Sequence, residues 1–341
     1  MTEPAPLQNL WYLAGLSREV KRGAMVRRIL FGEPVVLGRT KSGAAFALRD
    51  VCPHRAAPLS AGRIEGETVV CPYHAWTFDA AEGRCVRVPS LASISAADPS
   101  SIRVARRAVA ERSGLVWIWH GAGEPAAPPP DIGVPEDETP KTATIVDAEG
   151  PFDEAVVGLV DPAHTPTVHK QWWWREGRPR ADKTKSFAPT DLGFKMTAHA
   201  PSSNSLIYKA IGGAPTTEIE FRLPALRLEH IRTKTRRVLG LTAMTPTEAG
   251  ATRITHLIYW NGAVFDLLQP FVQGMADDFL RQDGVILRLQ NENLKRGAHR
   301  ALYFGAADEP AKWYFALKRA WGPDGAGFVN PLQPAILSWR T

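Results

Sequence analysis

Cysteine is scarce in this chain, which has three cysteines among 341 residues. Three is too few, and odd in number, for the disulfide framework that holds many small secreted domains together. The count therefore favours a reducing compartment, and we predict a cytoplasmic protein. In such a compartment, a cysteine close to a histidine suggests a metal site.

Long apolar runs are also missing, since no stretch approaches the roughly 20 residues that a membrane-spanning helix needs. The N-terminus lacks the basic start, apolar centre and small-residue cleavage site of a signal peptide, so we predict none. The pattern G-x-G-x-x-G after a strand is absent as well, and we do not expect the chain to bind a nicotinamide cofactor itself.

A concentrated tract of one charge is the third absence, because the net charge of +6 is spread along the chain. Dispersed basic residues give little support for nucleic-acid binding. Two interpretations stay open. The excess of arginine belongs either to an ordinary solvated surface or to a docking face for an acidic protein partner.

Short apolar runs separated by glycine and proline fill the first 125 residues and predict a small all-β domain. Residues 123–140 carry six prolines and no apolar period, so we place a stiff linker at 126–140. The second domain is predicted at 141–341. A helix is expected over about 152–170, followed by strands whose side chains alternate and by one long helix.

Two cysteines and two histidines lie close together in the first domain, in the pattern Cys52-x-His54, sixteen residues, Cys71-x-x-His74. Structural zinc sites usually present a Cys pair and then a His pair. Here each segment supplies one of each, which suits a Rieske [2Fe–2S] cluster, in which one iron takes both thiolates and the other both imidazoles. Cys85 lies outside the pattern and is interpreted as a small buried apolar residue.

A second set of ligands follows the linker, in the pattern Asp161-x-x-His164-x-x-x-x-His169. The two histidines would diverge on a regular helix, but Pro166 between them should distort it, and one wide turn would bring both imidazoles to one point. Two histidines and one carboxylate make the triad that holds non-haem Fe(II) with open positions.

The carboxylate of that triad comes either from Asp161 or from the long helix, which offers three aspartates. At 100° per residue, Asp283 falls on the apolar face of the helix, Asp277 lies almost opposite it, and Asp278 lies to one side. A carboxylate directed into a core is unfavourable unless it is paired or bound to metal. We therefore predict Asp283 as the third ligand.

Together the two motifs resemble the oxygenase (alpha) component of the Rieske non-haem iron, ring-hydroxylating, oxygenases. The shorter chain is most similar to the vanillate demethylase and dicamba monooxygenase branch. The resemblance covers nearly the whole chain and is strongest at 46–90 and 154–175. It implies an α+β protein, with an all-β Rieske domain and a helix-grip (START/Bet v1-like) domain whose antiparallel sheet wraps a long helix.

The resemblance also assigns roles. Both cysteines of the first motif ligate one cluster iron and both histidines the other, while His164, His169 and Asp283 bind the mononuclear iron. Three chains form a ring in this family. Asp161 then bridges the cluster ligand His74 of one subunit and the iron ligand His164 of the next, which gives electrons a short path that a single chain lacks.

Three positions depart from the family pattern. Ala56 and Ala75 stand where glycine is usual after each cluster histidine, and Gly158 stands where an asparagine near the iron is frequent. The two alanines exchange one small residue for another at tight loops. The glycine removes no ligand but alters how water or O2 is held.

The activity that these features imply is O2-dependent hydroxylation, as monooxygenation or O- or N-demethylation, of an aromatic or other apolar small molecule. Electrons would come from NAD(P)H through a separate reductase, with or without a ferredoxin. The alternatives are a ring cis-dihydroxylating dioxygenase, a non-catalytic electron carrier with a ligand-binding domain, and a zinc-binding interaction module.

Candidate pocket residues are less well defined. Asn204 and Trp260 are expected to line the substrate pocket. Trp172–Trp174 are interpreted as packing residues, with a pocket wall or an interface around the electron path as the alternative. Three histidines are expected to be ordinary hydrogen-bonded polar residues on strands that line the cavity: His199, His230 and His256.

Overall fold

The computed structural model describes residues 5–92, 98–169, 181–201, 213–298 and 302–340. The chain divides into two compact units. One comprises Asn9–Asp131 with Pro135–Glu138, and the other comprises Met1–Gln8, Ile132–Val134 and Thr139–Thr341. The residues predicted as a linker, 126–140, are therefore shared between the units, and Ile132 among them is buried.

The first unit is built from short antiparallel strands in three small sheets, ordered β1-β11-β10, β2-β3-β4-β9 and β5-β6-β7-β8. Short 3-10 turns connect some of them at Ser17–Glu19, Leu59–Ala61 and Pro99–Ser101. The strands are β1 Leu10–Leu16, β2 Ala24–Leu30, β3 Glu33–Arg39, β4 Ala45–Arg49, β5 Arg63–Glu65, β6 Thr68–Val70, β7 Thr77–Asp79, β8 Cys85–Arg87, β9 Arg106–Arg107, β10 Val109–Arg112 and β11 Leu115–His120.

All three cysteines lie in the apolar core of this unit, with buried side chains from β3, β4, β6 and β7 such as Val36, Leu48 and Phe78. Val36, Leu48 and Phe78 are fully buried, as expected for strands that pack one face inward. The core therefore forms one wall of the region that carries the Cys and His loops.

The second unit is one eight-stranded antiparallel sheet in the order β12-β18-β17-β16-β15-β14-β13-β19, with helices on one face. No helix in the described parts of the chain is long and apolar enough to cross a membrane. The elements are β12 Thr142–Glu149, α1 Phe152–Val160, α2 Thr165–Val168, β13 Asp182–Thr190, β14 Gly193–His199, β15 Thr216–Arg222, β16 Leu226–Arg232, β17 Arg237–Pro246, β18 Ala251–Trp260, α3 Ala263–Asp266, α4 Gln269–Lys295, the 3-10 turn Ala306–Asp308, α5 Glu309–Trp321 and β19 Ala335–Arg340.

The long helix α4 packs on β12, and its contact face differs from the one that the apolar periodicity predicts. Gly284 approaches so closely that an added Cβ would lie 3.0 Å from the Val146 side chain. Asp277, predicted to point away from the sheet, accepts a 2.6 Å hydrogen bond from Thr144 Oγ1. Ile286 lies on the same apolar side of the helix as Asp283 by sequence period, yet it is 40% exposed. Small residues let the helix approach the strand, which hydropathy alone does not register.

The helix expected over 152–170 is interrupted earlier than predicted. It ends at Val160, and Asp161 is extended ahead of Pro162, which disfavours a helical residue before it. Pro166 does not break a helix. It occupies the first turn of α2, where proline is well tolerated, and His164 and His169 flank that short helix. The two imidazoles therefore converge from the ends of one helical turn, not across a wide turn.

Candidate metal centres

The two Cys–His segments of the first unit fold into loops with the same hydrogen bond at their base. In the loop after β4, the Cys52 N–H donates to Ala57 O at 2.9 Å; in the loop after β6, the Cys71 N–H donates to Trp76 O at 2.8 Å. Both cysteines are buried, with 2% of their surface exposed. Matching loops of this kind present their thiols side by side.

Ala56 and Ala75, which stand where the family that the chain resembles usually has glycine, occupy left-handed positions in these loops. The φ angles are +57° at Ala56 and +54° at Ala75, and each N–H donates back to the carbonyl of its loop cysteine, at 2.9 and 3.2 Å. Glycine adopts this conformation without steric cost, whereas alanine does not. The substitutions preserve the loop geometry and introduce local strain.

Buried thiols and exposed imidazoles make this site asymmetric. Burial, together with the neighbouring Cys71, raises the pKa of Cys52 to about 11, so its thiolate needs a positive partner. The rings of His54 and His74 lie 4.6 Å apart, and Trp76 stacks on His54 at 4.5 Å. Two thiols in the core and two imidazoles at the surface fit the donor set of a Rieske cluster.

In the second unit, two histidines and one aspartate meet at a point. His169 Nε2 and His164 Nε2 lie 3.3 and 3.7 Å from Asp283 Oδ1. One ligand atom from each of the three residues falls within 4.8 Å of the others. This is the donor set and spacing of a two-histidine, one-carboxylate iron site.

The environment of His169 fits a bound metal. Its Nε2 is buried, yet it makes no hydrogen bond with any residue that the structure describes. Its Nδ1 faces Gln282 Oε1 at 3.3 Å, and Phe279 stacks on the ring at 3.4 Å. A histidine that donates from Nδ1 leaves Nε2 free as a ligand, so Gln282 sets the tautomer that a metal requires. Gln282 could not be predicted from the periodicity of the helix, because its role depends on a histidine distant along the chain.

Asp161 supports the other histidine and is not part of the triad. His164 Nδ1 donates to the Asp161 carbonyl oxygen at 2.9 Å and lies 3.6 Å from its carboxylate. Burial on its own would lower the pKa of His164, but Asp161 and Asp283 together raise it. The carboxylate of Asp161 also accepts a 2.7 Å hydrogen bond from the Ala163 N–H, and its side chain remains 34% exposed.

The structure describes the remaining predicted residues only in part. Asn204 and Trp172–Trp174 lie outside the described residues. Trp260 is buried at the end of β18, and its Nε1 donates to Asp266 at 2.9 Å, so it is not brought into the triad. Gly158 is exposed on α1, with open space around the position of a Cβ.

Comparisons with known proteins bear on the fold and the cofactors. A family model of the Rieske [2Fe-2S] domain matches residues 10–100. The oxygenase component of dicamba O-demethylase from Stenotrophomonas maltophilia is 32% identical over 216 residues, which cover 62% of this chain and 61% of that protein. Chloroplastic chlorophyllide a oxygenase from Chlamydomonas reinhardtii is 28% identical over 309 residues, which cover 85% of this chain and 44% of that protein.

The fold matches solved structures over nearly its whole length. The crystal structure of dicamba monooxygenase with non-heme iron and dicamba aligns with a TM-score of 0.71 at 23% identity, covering 93% of this chain and 97% of that one. The chain spans about half the length of the first curated relatives it matches, with shares of 44%, 46% and 61%.

The comparisons confirm the predicted α+β fold, with an all-β Rieske domain and an antiparallel sheet that carries a long helix. The match to the Rieske domain model supports a [2Fe–2S] cluster in the first unit, and the similar dicamba monooxygenase structure contains a non-heme iron. The chain therefore contains a Rieske [2Fe–2S] domain and is similar in sequence and fold to dicamba monooxygenase.

Proposed function

We propose that this chain is the terminal oxygenase of a multicomponent system that hydroxylates, or O- or N-demethylates, an aromatic or other apolar small molecule with O2. The observation that carries the proposal is the convergence of His164, His169 and Asp283, in which the buried His169 Nε2 faces Asp283 without a hydrogen bond to any described residue. A pure electron carrier has no use for this second donor set.

The chain's own residues would prepare both centres. Cys52 and Cys71 would hold one iron of the cluster, and His54 and His74 the other. His164, His169 and Asp283 would hold the mononuclear iron. When bound, the two groups supply one-electron storage and O2 activation. Gln282 and Asp161 keep a proton on Nδ1 of their histidines, so that both Nε2 atoms point to one place.

Electron supply and assembly follow the family. We infer that NAD(P)H feeds a separate reductase, with or without a ferredoxin, and that three chains form a ring in which Asp161 links His164 to His74 of the next subunit. Four exposed apolar side chains of α4 support burial of this helix against another chain: Phe271, Val285, Ile286 and Leu289. The reduced, buried cysteines suit a cytoplasmic location.

Dicamba O-demethylase and 3-chlorobenzoate-3,4-dioxygenase are about equally similar to this chain, so we propose monooxygenation or demethylation and keep ring dihydroxylation as the alternative. We retain Trp260 and Asn204 as candidate pocket residues. Trp260 ends β18, in the sheet on which α4 packs. Its hydrogen bond to Asp266 connects β18 to α3.

The first test is the iron and acid-labile sulfide content of anaerobically purified protein, with visible and EPR spectra. We expect about three irons and two sulfides per chain with a Rieske signal. Asp283→Ala should lose the mononuclear iron and turnover while keeping that signal. Asp278→Ala, on the exposed side of the same helix, is the matched control and should keep both.

Two irons and two sulfides per chain, even after Fe(II) is added, would contradict the oxygenase and leave an electron carrier. Turnover that survives in Asp283→Ala would remove Asp283 from the site. A colourless protein that contains zinc would contradict the cluster itself.

A further inference from the structure

A row of polar side chains crosses the helix-covered face of the large sheet. Strand register places Thr144 beside His256, His256 beside Thr242, and Thr242 beside Arg227. Thr144 donates to Asp277 of α4, which shows that this face is turned toward the helices. The row therefore points into the interior between the sheet and the helices.

The far end of the row carries an ion pair. Arg227 Nη1 donates to Glu229 Oε2 at 3.0 Å, and the two residues share one face of β16 because they are two apart. Their side chains are 27% and 22% exposed. On the side away from Thr242, Arg227 pairs with Phe221 of β15. The ring centroids of Phe221 and of Tyr314 in α5 lie 5.8 Å apart. The pair thus lies beneath helices yet retains access to solvent, as cavity-lining groups do.

Gly240 has no side chain and lies between the ion pair and His256. Gly240 lies beside Glu229 in the register, and a Cβ at this glycine would be 3.8 Å from Glu229 Cβ and 3.6 Å from His256 Cε1. His256 is held by a 2.9 Å contact between its Nδ1 and Thr242 Oγ1. Burial and then Arg227 lower the pKa of His256 to about 4, so the ring is neutral near pH 7.

The row begins next to the iron ligands. Gly284 of α4 lies directly against Val146 of β12. Val146 pairs with Ile254, which lies on the same face of β18 as His256. Asp283 is the neighbour of Gly284 on α4. A small molecule whose reactive part lies at Asp283 would therefore extend across His256 and Gly240 toward Arg227 and Glu229.

The chemistry of the ion pair selects one kind of group. Arginine offers only donors, and an ionised glutamate offers only acceptors. A carboxylate beside the pair would be repelled by Glu229, and a cation by Arg227. A neutral ligand group that has an acceptor next to a donor can hydrogen-bond to Arg227 and Glu229 together without adding charge. A few polar groups in a largely apolar pocket are what fix the orientation of a ligand.

We propose that Arg227 and Glu229 form the polar end of the substrate pocket and bind a neutral edge with adjacent acceptor and donor, as in a carboxamide, lactam or imide. The inference rests on the proposed oxygenase function for its placement of the reacting end. It names the class of substrate that this same site accepts.

Calorimetric binding to the anaerobic, iron-loaded protein tests the proposal with three probes of equal size. Benzamide carries an acceptor and a donor, benzoate two acceptors and a negative charge, and benzamidine two donors and a positive charge. We expect benzamide to bind about tenfold more tightly than either ion, because each ion leaves one side chain of the pair unmatched.

Charge-removing variants sharpen the test. Glu229→Gln should weaken the binding of benzamide about tenfold and strengthen the binding of benzoate relative to benzamide. Arg227→Met should strengthen the binding of benzamidine relative to benzamide. Glu218→Gln and Arg253→Met remove members of ion pairs on the opposite face of the sheet and should change nothing. Arg227→Lys and Glu229→Asp, which keep the charges, serve if the first variants fail to fold.

Several results would overturn the inference: benzoate or benzamidine as the tightest probe, no binding of any probe at millimolar concentration, or equal effects of the control variants. The readout needs no turnover. If the protein holds iron and consumes O2 but does not prefer benzamide, this inference is wrong and the proposed function stands. If the protein lacks the mononuclear iron but still prefers benzamide, the proposed function is wrong and this inference stands.

Discussion

The two metal sites are assembled in opposite ways. The cluster site comes from two loops close in sequence, each closed by the same backbone hydrogen bond and each carrying one Cys and one His. The mononuclear site joins the ends of the short helix α2 to the middle of the long helix α4, which follows six intervening strands. The first site depends on local turns and the second on tertiary packing, so they should respond differently to mutation.

The largest expected effect is on the loop site. Cys52→Ser should abolish the Rieske signal and remove the two cluster irons, because a hydroxyl does not replace a thiolate ligand. The mononuclear iron should remain, since its ligands come from the other unit. EPR and iron content give the measurement.

Cys85→Ser is the matched control for that change, because Cys85 is equally buried but lies outside the loops. It should keep the full Rieske signal. A Rieske signal retained in Cys52→Ser would break the assignment of the first site.

The link between the sites is tested next by Asp161→Asn. Asparagine retains an oxygen for the Ala163 N–H but loses the charge beside His164. Both metals should stay, and single-turnover electron transfer should slow by about 10–100-fold, as is usual for outer partners of ligand histidines. Unchanged single-turnover rates would contradict a role for Asp161 between the sites.

The helix site depends on the residue beside its carboxylate ligand. Gln282→Leu removes the acceptor for His169 Nδ1 and should weaken Fe(II) binding about 10–100-fold without altering the Rieske signal. Gln282→Glu keeps an acceptor, and its Fe(II) affinity should be closer to that of the unmodified protein. Gln290→Leu, exposed on the same helix, should leave Fe(II) affinity unchanged in an equilibrium titration.

The smallest effect concerns strain in the loops. Ala56→Gly and Ala75→Gly should each raise the free energy of unfolding by about 0.5–1 kcal/mol, because the left-handed conformation penalises alanine more than glycine loses in chain entropy. Ala57→Gly, which lacks a positive φ, should lower it. Thermal unfolding of the three cluster-loaded variants gives the measurement. If both Ala56→Gly and Ala75→Gly destabilise the protein, the two alanines are not strained.

The sequence predicts the local site better than the distributed one. The Cys and His spacing suffices for the loops, because all their determinants lie within a few dozen residues. Asp283 could be predicted from the unfavourable burial of a carboxylate on an apolar helix face. The contact of Asp277 with Thr144 could not, since it depends on how closely Gly284 lets the helix approach β12.

The failures around the histidines have the same origin. Pro166 was expected to distort a helix, but the chain had already left the helix at Asp161 and Pro162, which turned the proline into a residue of a new first turn. Gln282 and the neutral state of His256 depend on partners from distant strands and helices. Periodicity reports which side of an element is apolar, not which neighbour covers it.

The bond between Thr144 and Asp277, reinforced by Gln273 Nε2, which donates to Asp277 at 2.7 Å, fixes α4 against the edge strand β12 about two helical turns before the iron ligand. Asp283 is therefore held in position by contacts that involve no metal. The same helix also holds His169, through Gln282 at 3.3 Å and the stacked ring of Phe279. The aspartate and one of the two histidines are therefore positioned together by α4, and a change that shifts this helix along β12 would displace both.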